Sequence, residues 1–203
     1  MKEKYIDDIK EIKQIMQRSS RFISLSGLSG ILVGIYATFG AYLAYNSIFS
    51  HADYFVFGKV EMDRNSIIML VLIAGKTLVM SILLASYLTA RRVKELNVPR
   101  WDHQTRNLLV NLSIPLIVGG IVCLILLFRG YPGLTPAFTL IFYGLALTNA
   151  SKYTHSEIKS LGLVQIFLGL CALYFIAYSL VIWVLGFGLM HIIWGILIRN
   201  KYN

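Results

Sequence analysis

The chain has 203 residues, 57% of them apolar and only 14% charged, with a formal net charge of +9. Apolar content this high, with the charges confined to a few short stretches, excludes an ordinary soluble fold and points to an all-α polytopic membrane protein. The excess base lies in loops beside apolar runs, so lipid headgroups and membrane orientation explain it before nucleic acid does.

Residues 1–20 form the first unit, a cytoplasmic amphipathic helix. Tyr5, Ile9, Ile12 and Met16 recur at helical spacing, with Ile6 and Ile15 widening the stripe and Lys4, Asp7, Asp8 and Lys10 on the wet side. A helix lying in the bilayer interface, a helix docked on a cytoplasmic protein partner or on a second copy of the chain, and a frayed tail all fit this pattern.

Residues 21–203 form the second unit, a six-helix transmembrane domain. The first span, about 22–48, lies in a stretch without a charged residue between Arg21 and His51, long enough to cross roughly 30 Å of hydrocarbon as a helix. The run is too long for a signal h-region and no small-residue cleavage motif follows, so it reads as a retained span. Ser26, Gly30, Gly34 and Thr38 fall four apart and line one face, small enough for a neighbouring helix to approach backbone to backbone. Packing against another span, a dimer seam and a ligand groove all fit that face.

A polar loop follows, with an apolar patch at 54–57, and then span two at about 66–90. The basic loop 91–106 carries Trp101 at headgroup level. Span three, about 107–128, contains Pro115 and Gly119-Gly120, so a kink is expected there. Thr135 reads as an N-cap with Pro136 at the first helical position, opening a short span four at about 135–151. Thr154, His155, Ser156 and Glu157 read as a capping box that starts span five, about 155–176. The apolar run beyond Lys159 is about twice the length of one span, so it must turn back near 177–179 and continue as span six, about 180–199. Spans three-four and five-six share a weak repeat, in which Tyr143-Gly144-Leu145 matches Phe187-Gly188-Leu189.

Fifteen of the 19 Lys and Arg residues fall on one side of such a six-span arrangement and three on the other, with Lys76 inside a span. This places both termini in the cytoplasm.

No Asp or Glu lies in the apolar part of any span, and no HExxH, GxSxG, P-loop or Cys/His metal spacing occurs. Cys123 and Cys171 both sit in apolar runs as small hydrophobes. No catalytic residue, metal site or cofactor is therefore expected. Counted from the helix ends at about 1.5 Å per residue, Lys76, His191, Tyr143 and Gln165 lie near one depth at the bilayer midplane. A lysine there costs about 2.5–3.5 kcal/mol, so it should face the bundle or a wet cavity. These four are the candidate ligand-binding residues, with Lys76 and His191 expected to share one polar cavity. Asn107 and Asn111, one turn apart, read as an interfacial helix start.

The runs RSSRFISLSGLSGILVGIYATFGAYLAY, IPLIVGGIVCLILLF, TLIFYGLALTNASKYT and GFGLMHIIWGI resemble an uncharacterised family of small six-span bacterial inner-membrane proteins. The resemblance covers most of the chain apart from the first loop and span two. It implies a bacterial cytoplasmic membrane and supplies no site residues. The hairpin rhythm is also similar to six-span acid-stress membrane proteins.

The expected function is non-enzymatic binding or passage of a small molecule or lipid at the midplane polar layer. The alternative is a membrane-anchored regulatory or scaffold protein that holds a cytoplasmic partner through its N-terminal helix. The bilayer is a partner in both, and both leave room for a homo-oligomer.

Overall fold

The computed structural model describes residues 27–51, 62–95, 103–154 and 156–202. Among the described residues the chain is helical with no strand. Helix α1 is Gly27–Ser47, α2 Arg64–Glu95, α3 His103–Phe128, α4 Thr135–Ala150 and α5 Ser156–Tyr174. The last rod has three parts: α6 (Ser179–Trp183), a π-helical segment (Val184–Met190) and α7 (His191–Tyr202). The amphipathic stretch 1–20, Ser26 and the patch at 54–57 lie outside the described residues.

Among the described residues, five helices are long and apolar enough to cross a bilayer: Gly27–Ser47, Arg64–Arg92, His103–Phe128, Glu157–Tyr174 and Ile176–Lys201. They are compatible with a multi-pass membrane protein in a lipid environment. The expected fourth span is different. Helix α4 has only 16 residues, a rise of about 24 Å against a hydrocarbon core of about 30 Å.

Several boundaries differ from the sequence reading for local reasons. Helix α2 starts before residue 66 because the Asp63 carboxylate accepts the backbone N–H groups of Asn65 at 3.1 Å and Ser66 at 3.3 Å. Thr135 does not cap α4. The 3-10 turn Pro132–Leu134 runs straight into the helix, and the Thr135 hydroxyl donates back to the Pro132 carbonyl at 2.7 Å. Thr154 does not close a capping box either, because its hydroxyl is buried without a hydrogen-bond partner. Helix α3 continues through Pro115. Proline has no N–H to offer the carbonyl four residues earlier, and the Asn149 side-chain amide supplies one to Asn111 O at 3.2 Å.

The last apolar run turns back as expected, slightly earlier than 177. Helix α5 ends at Tyr174, Phe175 breaks it, and the 3-10 turn Ile176–Tyr178 leads into α6. This turn repeats the one before α4. Phe175 (φ −106°, ψ 66°) and Tyr131 (φ −115°, ψ 54°) share a backbone conformation, and each precedes a three-residue 3-10 turn and a helix. The two turns touch: the buried Ser179 hydroxyl donates to Gly133 O at 2.9 Å. The weak sequence repeat thus has a counterpart in these two turns.

Two glycine seams hold the bundle together. In the first, α1 packs on the last rod. A Cβ on Gly34 would stand 2.6 Å from Gly188 O, and one on Gly30 would stand 3.1 Å from the Gly195 Cα. Thr38 closes this seam against Gly188 while its hydroxyl bonds back to Gly34 O at 2.9 Å. In the second seam α4 runs antiparallel to α5, where a Cβ on Gly162 would stand 2.8 Å from Gly144 O and one on Gly169 3.0 Å from Ala137 O. Helix α3 lies on α4, with Gly119 against the Phe142 ring. Helix α2 is peripheral, with 6% of its apolar window buried against 39% for α1. It packs along α1 through Thr77 at Gly40, and Leu70 joins Ala44, Ile48, Phe49 and Leu127 in one cluster. Near the chain end Lys201 pairs with the Glu157 carboxylate, and Trp194 Nε1 donates to Glu157 O at 2.8 Å, tying α7 to the start of α5.

Candidate functional site

The π-helical segment carries the polar centre of the bundle. Its Gly186 carbonyl accepts two side-chain donors, Gln165 Nε2 from α5 at 2.8 Å and His191 Nδ1 at 3.1 Å. A carbonyl cannot donate, so Nδ1 carries the histidine proton and Nε2 is a bare acceptor. Tyr143 Oη of α4 lies 2.8 Å from that Nε2, so the phenol donates to it. The bonds form one directed chain, from the Tyr143 hydroxyl through a neutral His191 ring to the Gly186 carbonyl, which Gln165 meets from the other side.

Burial sharpens the chemistry. Gln165 is 0% exposed and His191 is 6% exposed. Gln165 turns its Nε2 to the Gly186 carbonyl, and its Oε1 is buried with no hydrogen-bond partner. It sits close over Gly186, where an added Cβ would stand 2.5 Å from it. Only glycine admits the amide there.

An aromatic ladder backs the chain. Phe187 stacks on His191 with centroids 5.7 Å apart and an interplanar angle of 14°, and it meets Tyr143 at 4.8 Å and Trp183 at 4.7 Å. Tyr143 and Phe187 are matching positions of the internal repeat, and they face each other across the centre. Trp183 Nε1 donates to Thr139 Oγ1 at 3.0 Å, so the ladder's outer end is also bonded.

Three of the four residues placed at one depth by helix rise thus meet: Tyr143, Gln165 and His191. Lys76 does not. It is exposed on the peripheral α2, while His191 is buried behind α1, so the structure brings no shared cavity to the two. Depth along a helix says nothing of azimuth, and α2 turns Thr77 to the bundle and Lys76 away from it. On the small-residue face of α1, Gly30, Gly34 and Thr38 lie against the last rod. Sequence reasoning missed Gly186 and the ladder. No residue pattern announced either, because nothing in the one-dimensional spacing distinguishes a π turn from an α turn.

Among the described residues no cluster of His, Cys, Asp and Glu could hold a metal ion. The centre contains hydrogen-bond donors and acceptors, and no carboxylate or thiol. Comparison with protein-family models, with curated proteins and with solved structures gives no match to the chain.

Proposed function

We propose that the protein is a non-enzymatic membrane protein that binds or passes a small molecule or lipid at the layer formed by Tyr143, His191 and Gln165. The observation that carries this reading is the Gln165 Oε1 atom, a strong acceptor held fully buried without a donor. A ligand hydroxyl or amine is the natural partner for such an atom. The adjoining π-helical segment supports the reading, because π turns are rare and concentrate at functional positions.

Six spans with both termini cytoplasmic complete the proposal. Helix α4 pairs antiparallel with α5 from the Ala137–Gly169 level to the Thr148–Gly162 level, and 3-10 turns extend it at both ends. A helix so matched to a spanning neighbour crosses the same slab. The charge asymmetry supports that orientation, and the resemblance described above supports a bacterial inner membrane. Cysteine labelling in intact cells tests the orientation: Lys4→Cys labelling from outside would overturn it.

A second reading is favoured by one observation. Both His191 nitrogens are satisfied by the protein and Leu140 is wholly buried beside the layer, which suits a closed bundle acting as a regulatory or scaffold protein. Ligand retention separates the two. Wild type and Gln165→Leu, extracted from membranes in mild detergent, are compared by native mass spectrometry. A bound mass lost in Gln165→Leu at unchanged helicity supports binding at the layer. Bare protein in both supports the regulatory reading.

A further inference from the structure

We propose that the outward groove between α3 and α4 is a binding site for an anionic phospholipid of the leaflet at the Lys152 end. It lies on the opposite side of α4 from the Tyr143 hydroxyl and is independent of the midplane reading. The groove is open along its length and offers a volume of about 490 Å³.

Its polarity runs in one direction. Pro115, Val118, Phe142 and Leu145 line the deep part, and Asn149 and Lys152 stand at the other end. From Phe142 to Lys152 the groove climbs about 15 Å by helix rise. An apolar trough of that length with amide and ammonium groups at its mouth matches one acyl chain beneath an anionic headgroup.

The local structure shapes the lining of the trough. Gly119 lets the Phe142 ring settle against α3, where it lines the trough together with Val118. Pro115 strips Asn111 O of its helical donor, and Asn149 is drawn across to replace it. With the Asn149 amide used in this way, its carbonyl oxygen is left as an acceptor for a headgroup hydroxyl. The Thr148 hydroxyl is spent on Gly144 O at 2.8 Å.

Charge selects the headgroup. Lys152 is exposed and has no ion-pair partner among the described residues. The N-terminal turn of α3, with its positive dipole end and Arg106, opens toward the same side. The C-terminal dipole end of α4 opposes an anion there, and Lys152 stands where it offsets that field. A zwitterionic lipid gains little from this arrangement, whereas a phosphatidylglycerol-type headgroup gains a lysine contact.

The test is lipid retention by the full chain, measured by native mass spectrometry after incubation with an equimolar mixture of phosphatidylglycerol and phosphatidylcholine. Wild type should hold phosphatidylglycerol preferentially. Lys152→Ala should lower that preference about five-fold, the equivalent of roughly 1 kcal/mol for one basic contact, and Lys152→Arg should restore it. Val118→Trp, which fills the trough from an exposed position, should reduce retention of both lipids while helicity and melting temperature stay unchanged. Equal retention of the two lipids by wild type, or wild-type selectivity in Lys152→Ala, overturns the headgroup assignment. Undiminished retention in Val118→Trp overturns the groove as the site. Neither result depends on Gln165.

Discussion

Gly30 of the first helix and Gly195 of the last meet so closely that a Cβ on Gly30 would stand 3.1 Å from the Cα of Gly195. The same approach continues to Gly34 and Gly188, so the two ends of the described chain are packed backbone against backbone. In lipid, where apolar side chains gain nothing by leaving their solvent, such close contact is a main source of helix affinity.

Gly34→Leu should therefore destabilise the fold by about 1–3 kcal/mol through overpacking. Gly75 and Gly120 are internal controls, because a Cβ at either would meet nothing within 4 Å. Gly75→Leu and Gly120→Leu should leave thermal stability in detergent nearly unchanged, as should Leu32→Ile. Equal loss in Gly34→Leu and Gly75→Leu would contradict the seam.

Tyr143→Phe removes the donor bonded to His191 Nε2 and leaves a buried acceptor open. The expected loss is about 0.6–1.7 kcal/mol, from the average to the largest value known for interhelical hydrogen bonds in membranes. A double-mutant cycle with His191→Leu should return a coupling of that size. Additive effects would mean that the bond contributes nothing.

The Asn149 amide replaces a donor that Pro115 lacks, so the two positions should be coupled. Asn149→Leu should cost about 1 kcal/mol in the natural background. In a Pro115→Ala background the helix supplies its own N–H to Asn111 O, and the same change should cost much less. An equal penalty in both backgrounds would refute the exchange of donors.

Asp63 offers a pH test at the start of α2, on a fully exposed group. The Ser66 hydroxyl, then the Ser66 and Asn65 N–H groups, hold its carboxyl below the ordinary value of 3.8. A lowered folded pKa means that the capping contribution is fully present above the unfolded value and is lost as pH falls through the folded one. The protection of the Asn65 and Ser66 amides, taken relative to the intrinsic exchange rate at each pH, should fall below about pH 4 in wild type. Asp63→Asn should show no such dependence, and an unchanged acid profile in that variant would remove the cap.

The sequence by itself determined what can be read along one helix. Apolar runs uninterrupted by charge specify helices in lipid, because an unbonded backbone group is too costly there. Five such helices are present among the described residues, and the turn inside the last apolar run follows from length alone. The four-residue spacing of Gly30, Gly34 and Thr38 announced a close-packing face, since a helix brings every fourth residue to one side. Helix rise likewise put Tyr143, Gln165 and His191 at one depth.

Tertiary structure decided everything that depends on azimuth and partner. Lys76 shares the depth of His191 but is exposed on α2, because the bundle is entered by its neighbour Thr77. Which helix the Gly30 face would meet was equally open until α7 lay across it. Gly186 became the hub of the polar chain through a local π turn that shifts a carbonyl into reach of two side chains. Along the groove beside Lys152, Phe142 seats on Gly119 and the Asn149 amide reaches across to Asn111 O. Those are properties of helices in contact, and a one-dimensional pattern carries no record of which surfaces touch.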